Sequence, residues 1–370
     1  MHIKSLLFIC FVFSFSTLLY SQEKTLFFIG DTGKDTIPSE ALYLLEFEAK
    51  QIRNSTVVFL GDNVYPSGNA KNDMANSAAS RILLNQLNLF DKIDGQLYIT
   101  SGNHDWANGK PRGYSNLQAQ EALVKDWRSK HINIQNPIVY YPASGNPGPD
   151  IVDVYDNVQL IFLHSQAFLQ QSLPSAVRKM RADAFGQIDS MLAQAALLKK
   201  YVIIAAHHPV LSNGKHAATL QPWRFLIQYT PLQIFGLAGL NQVIKQNLRH
   251  PRYKRYAKQL IQTISKYENV VYITGHDHNM QHFIHDLNHY IISGSGSKME
   301  RISFYFHQAR MMEDRKLGYI RLSINEEGEL RFAAHSVQSR GEFASYLLCN
   351  EPVKLKSSTH SQPDSTQSFE

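Results

Sequence analysis

The sequence predicts an α/β fold with a largely parallel sheet, and two observations predict it. Short apolar runs alternate with stretches of helical periodicity along the N-terminal third, and strand–helix–strand order favours parallel pairing. Each run is apolar throughout and then stops at a polar, ligand-capable residue, as a buried strand would. The 370 residues are 44% hydrophobic and 18% charged, an ordinary globular balance that leaves enough apolar side chain for a large core.

The elements follow in order. TLFFIG (25–30) reads as a strand running into Asp31. IPSEALYLLEFEAKQI (37–52) carries apolar residues at helical spacing, with Ser39 available as a cap. TVVFLG (56–61) is the next strand, a helix covers about 76–90, and QLYITSG (96–102) is a third strand. QAQEALVKDW (118–127) is helical, and NIQNPIVYYPASGNPGPD reads as a loop because Pro, Gly and Asn dominate it. IVDVYD (151–156) and VQLIFLH (158–164) are strands joined at Asn157; a long helix covers about 182–199. YVIIAA (201–206) and VVYITG (270–275) are further strands, with mostly helical sequence at 221–266 between them. HFIHDLNHYIIS, LGYIRLSI and LRFAAHSV make the segment 281–338 strands and turns.

The two ends differ from the body. Lys4 precedes the uncharged run SLLFICFVFSFSTLLY, which is short for a membrane span and fits a signal peptide over residues 1–21. Residues 22–350 then form one domain, with no repeat or clear linker. The tail 351–370 is poor in apolar residues and rich in Ser, Thr and Gln, and reads as disordered. The cysteines are Cys10 and Cys349, so cleavage of the leader leaves no intrachain disulfide. The expectation is an exported protein, periplasmic or extracellular, without a membrane span. A net charge of +6 is compatible with anionic substrates.

Five strand ends carry the chemistry: GDTG (30–33), GDNVY (61–65), GNHD (102–105), AHHP (206–209) and GHDH (275–278). In an open α/β sheet, sites form beyond the carboxyl ends of the strands, so loops far apart in the chain can converge. Asp, Asn, His and Tyr are oxygen and nitrogen donors. Several anionic oxygens with several imidazoles suit a pair of hard-to-borderline metal ions, the arrangement that clamps attacking and leaving oxygens in phosphoryl transfer. Glycine before these segments permits tight turns and close backbone approach.

This motif order resembles that of the calcineurin-like metallophosphoesterases and, within them, the purple acid phosphatases of the small, tartrate-resistant type. The resemblance runs from about residue 25 to 345. It implies a four-layer αββα sandwich, two mixed sheets flanked by helices. Where most of the superfamily has Asp-x-His at the first motif, this chain has Asp31-Thr32-Gly33, and Tyr65 marks the purple branch. Carried over by position, one ion would be held by Asp31, Asp62, Tyr65 and His278. The second would be held by Asp62 as a bridge with Asn103, His207 and His276. The HxP spacing selects His207 over His208. His104 matches the family's substrate-facing histidine, and His216 its second active-site histidine. Hard anionic oxygens at the first position favour Fe³⁺, beside a divalent Fe, Zn or Mn.

The function implied is an acid phosphatase that hydrolyses small phosphate monoesters by in-line attack of a metal-bound hydroxide. A phosphodiesterase or nucleotidase on the same scaffold, or a non-catalytic phosphate-binding relative, are the alternatives. No nucleic-acid partner is expected, and the chain is read as a monomer or weak oligomer. The long segment 214–268 departs from the small phosphatases. Trp223, Phe225, Tyr229 and Phe235 fit a lid or plain packing. The cluster Lys245, Arg249, Arg252, Lys254, Arg255 and Lys258 fits a polyanion surface or a solvated helix face. His164, ending its own strand, reads as a core or rim histidine.

Overall fold

The computed structural model describes residues 24–68, 77–131, 137–217, 246–302, 307–325, 329–337, 345–347 and 351–356. The N-terminal run, the four aromatic residues at 223–235, Lys245 and Cys349 lie outside them. Among the described residues, no helix is long and apolar enough to cross a membrane.

The predicted strand–helix alternation begins the fold. β1 (Lys24–Ile29), β2 (Ser55–Leu60) and β3 (Gly95–Thr100) pair in parallel, with α1 (Glu40–Ala49) and α2 (Ala78–Phe90) as crossovers. Ser39 caps α1, its hydroxyl accepting from the Leu42 N–H. α3 (Gly113–Lys130) leads to β4 (Ile138–Tyr140), a short strand beside β3 inside the segment read as a loop. Its proline- and glycine-rich flanks hide a three-residue strand.

A second sheet starts with β5 (Asp150–Tyr155) and β6 (Val158–Phe162). It continues after α4 (Ser165–Leu169) and α5 (Ser175–Leu197) with β7 (Tyr201–Ala205). α5 starts ahead of the predicted 182. After α6 (Pro251–Ile264) and β8 (Tyr267–Glu268), β9 (Val271–Thr274), β10 (Met280–His285), β11 (Asn288–Ser293) and β12 (Ala309–Glu313) complete that sheet. β13 (Gly318–Ile324), β14 (Leu330–Ser336) and β15 (Ser345–Leu347) return to the first one, β13 running antiparallel to β1.

Each sheet therefore has seven strands, and both are mixed. Phe27, Ile29, Val57, Phe59, Leu97 and Ile99 face α1, α2 and α3. Their alternates Leu26, Phe28, Val58 and Leu60 meet Leu160, Phe162, Ile203, Ala205 and Ile273 of the other sheet. A third cluster joins that second sheet to α4, α5 and α6. Strands buried on both faces read as unbroken apolar runs, which is why the sequence pattern was so plain. The layers are helix, sheet, sheet, helix, as the resemblance implied.

Residues 351–356, the described part of the segment read as a tail, make contacts with the body. Val353 is buried, and β16 (Lys354–Leu355) pairs with β8, so packing continues through residue 356. One buried valine among polar residues is a weak compositional signal.

Candidate metal centre

β1, β2, β3, β7 and β9 all end at the same edge of the sandwich, and the five motif loops meet there. Close approach depends on glycine. A Cβ on Gly30 would stand 2.9 Å from the Cα of Gly275, and one on Gly102 would stand 2.2 Å from Asp62 Oδ1. Asp31, Asp62 and His276 adopt φ of 61°, 55° and 74°. Left-handed backbone is unfavourable for residues other than glycine and persists only where the surroundings impose it.

The site residues form two adjoining groups. In the first, Tyr65 Oη lies 2.8 Å from Asp31 Oδ1 and 2.9 Å from Asp62 Oδ2. His278 Nε2 lies 3.4 Å from both Tyr65 Oη and Asp31 Oδ1. In the second, Asn103 Oδ1 is 3.0 Å from His207 Nε2 and 2.9 Å from His276 Nδ1. His207 Nε2 is also 3.5 Å from Asp62 Oδ1. Asp62 thus turns one carboxylate oxygen to each group. Asp31, Asp62 and His207 are buried and present ligand atoms within 4.8 Å of one another.

The outer bonds fix which atoms face inward. His207 Nδ1 donates to the Leu60 carbonyl at 2.9 Å, and His276 Nε2 to the Gln246 carbonyl at 3.1 Å. Asn103 Nδ2 donates to Asn108 Oδ1, turning its Oδ1 inward. His278 Nδ1 faces Glu300 Oε1 at 3.2 Å. The atoms left pointing at one another, Asn103 Oδ1, His207 Nε2 and His276 Nδ1, are therefore all lone-pair bearers in the neutral residues. Such convergence asks for a positive charge at the centre, and these residues fit a metal pair.

Electrostatics agrees. Burial draws His207 down, but Asp62 outweighs it and raises its pKa to about 9. Burial is likewise outweighed at His278, where Asp31 and then Glu300 raise it to about 10. Burial, then Asp31 and Asp62, hold the Tyr65 phenol far above its ordinary value. A cation seated among these groups would reverse that order, displacing protons from the imidazoles and from the phenol.

The neighbouring residues separate into inward-facing and supporting groups. His104 packs on the Tyr65 ring with centroids 4.2 Å apart. Its Nδ1 donates to the Pro66 carbonyl at 2.7 Å, leaving Nε2 4.0 Å from Asp62 Oδ2. His216 stacks on His276, centroids 4.1 Å apart, and its N–H donates to Asp277 Oδ1. His208 turns away, bonded to Ser165 Oγ and Gln246 Oε1. His164 is a buried pin between Ser101 Oγ and the Pro142 carbonyl. On α6, Tyr253, Tyr256, Leu260 and Ile264 are buried while Lys254, Arg255 and Lys258 are exposed, an amphipathic division with its basic face in solvent.

Three supporting residues escaped the sequence reading. Asp105 accepts from the N–H groups of Gly102, Asn63 and Val64 and from Gln120 Nε2, tying the loops after β2 and β3 to α3. Burial and the Asp62 charge push its carboxyl up to about 7. Glu300 orients His278, and its carboxyl falls to about 2 because the imidazole outweighs the cost of burial. Lys298 stands over the Tyr65 ring. The final D of GNHD signals Asp105; Glu300 and Lys298 have only the SGSGSKME echo to mark them.

A sequence model of the family described as "Calcineurin-like phosphoesterase" matches residues 24–280. Human tartrate-resistant acid phosphatase type 5 is 26% identical over 256 residues, 68% of this chain. The match spans 62% of that relative's length. Among solved structures, a purple acid phosphatase from yellow lupin (Lupinus luteus) seeds shares a TM-score of 0.55 at 14% identity, over 88% of this chain and 54% of that one. A dimetal phosphatase from Danio rerio gives 0.53 at 11%, over 89% of this chain and 99% of that one. At such identities the structural likeness is one of fold.

Proposed function

The chain belongs to the calcineurin-like phosphoesterase family, and from that premise we propose that it is an exported acid phosphatase acting on small phosphate monoesters. The observation that carries this reading is the divided carboxylate of Asp62, with one oxygen toward the phenol–carboxylate group and the other toward the histidine group. The first group would hold Fe³⁺ through Asp31, Asp62, Tyr65 and His278. The second would hold divalent Fe, Zn or Mn through Asp62, Asn103, His207 and His276. Export rests on the leader-like run that follows Lys4.

When bound, such a pair acidifies water and offsets phosphate charge. The chain's own residues do the rest. Asp62 keeps both sites in one frame. Leu60, Gln246 and Glu300 hold the imidazoles in one orientation each. His104, partly exposed and anchored through Nδ1, presents Nε2 to a phosphoryl oxygen or to the departing alcohol as a proton donor. His216, stacked beside His276, lines the same mouth and would steady the ester oxygen.

Hydrolysis of an aryl phosphate monoester and its matching diester, from acidic to neutral pH, tests this function. Monoester turnover that disappears in His207→Ala supports it. Diester preference moves the protein to a phosphodiesterase. Metal and phosphate binding with no turnover of either ester makes it a non-catalytic relative.

A further inference from the structure

Tyr65 is set in unusual company. Its hydroxyl touches two buried carboxylates, and those alone would oppose any negative charge on its oxygen. The Lys298 ammonium stands 3.1 Å from the centre of its ring. Lys298 lies past β11 on the loop that also supplies Glu300, and it is half-buried. Burial depresses its pKa below the ordinary lysine value, and the charges of Asp31, Asp62 and Glu300 only partly offset this. No carboxylate lies within ion-pair distance of its Nζ among the described residues, whereas Lys215 on the neighbouring loop pairs with Glu300 at 3.4 Å. The ring face of Tyr65 is therefore its contact. A cation there is attracted by the π system, and more strongly when the ring carries a phenolate's charge.

We propose that Lys298 is a positioning residue for Tyr65: its ammonium holds the ring against the Asp31–Asp62 pair and weakens the phenolate as an electron donor to the metal. The inference rests on the reading of Tyr65 as a ligand to Fe³⁺. It concerns a residue outside the proposed ligand set, acting through the ring of Tyr65. Lowering the energy of the phenolate electrons widens the gap across which they are promoted to a ferric ion. Removing the ammonium should narrow that gap.

The test is the visible spectrum of the iron-loaded protein beside Lys298→Met and Lys298→Arg, with iron content measured in each. Methionine keeps the stem's length and loses the charge; arginine keeps the charge. The expected result is a charge-transfer band displaced to longer wavelength in Lys298→Met, on the order of 10–20 nm for an interaction of this kind. In Lys298→Arg it should stay near its original place. A band lost from Lys298→Met at full iron occupancy also supports the proposal, because the ring has then left the metal. A band equally placed in all three proteins overturns it and leaves the phosphatase reading intact. An iron-loaded parent protein without any band overturns the ferric tyrosinate and this proposal together.

Discussion

The loops after β1–β3 and those after β7 and β9 solve the same problem with different chemistry. The first set offers carboxylates and a phenol, held by strained left-handed backbone and by amide donors such as His276 N–H to Asp31 Oδ2 and His104 N–H to Asp62 Oδ1. The second set offers imidazoles, each fixed through its outer nitrogen by a carbonyl or by Glu300. Anionic oxygens gather at one end of the site, and imidazole nitrogens with the Asn103 amide oxygen at the other, while Asp62 faces both. The asymmetry of the site thus follows, for the most part, the two halves of the sandwich. Two residues cross over: His278, from the second sheet, completes the oxygen-rich group, and Asn103, from the loop after β3, joins the imidazoles.

The largest effect is expected at Asp62. Asp62→Ala should lower turnover on the order of a thousandfold or more, since both positions lose their common ligand. Metal analysis should show both ions depleted; loss of one alone would mean that the carboxylate is not shared. Tyr65→Phe should act on the oxygen-rich side only. Visible absorption disappears while the divalent ion stays, so unequal loss of the two metals is the expected reading.

Smaller changes sharpen the contrast. Glu300→Gln leaves every proposed ligand in place but weakens the hold on His278. Affinity at the first position should fall about 10–100-fold, as for other outer-shell partners of ligating histidines. Equal weakening at both positions in a metal titration would count against a local role. The smallest effect should come from His208→Asn. Its ring bonds Ser165 and Gln246, so metal content should be unchanged and turnover altered less than about tenfold. Loss of an ion there would make His208 the ligand in place of His207.

Much of this was legible because ligand and strand are adjacent in sequence. A buried strand that stops at Asp, Asn or His declares both its layer and its chemistry, and five such ends describe the edge where they meet. What stayed hidden depends on contacts between distant segments. Glu300 and Lys298 gain their roles only because β11 carries the following loop back over Tyr65 and His278. Val353 and β16 looked like tail because one apolar residue cannot stand out against a polar stretch. β4 was masked by its own turn residues, and α5 begins in a charged, exposed turn that carries little apolar signal.

The most direct test of an asymmetric centre is the metal content of the purified protein, measured together with its visible spectrum. The expected result is about one iron and one divalent ion per chain, with absorption that Tyr65→Phe abolishes. A colourless protein, fully active with two divalent ions and no iron, would contradict it.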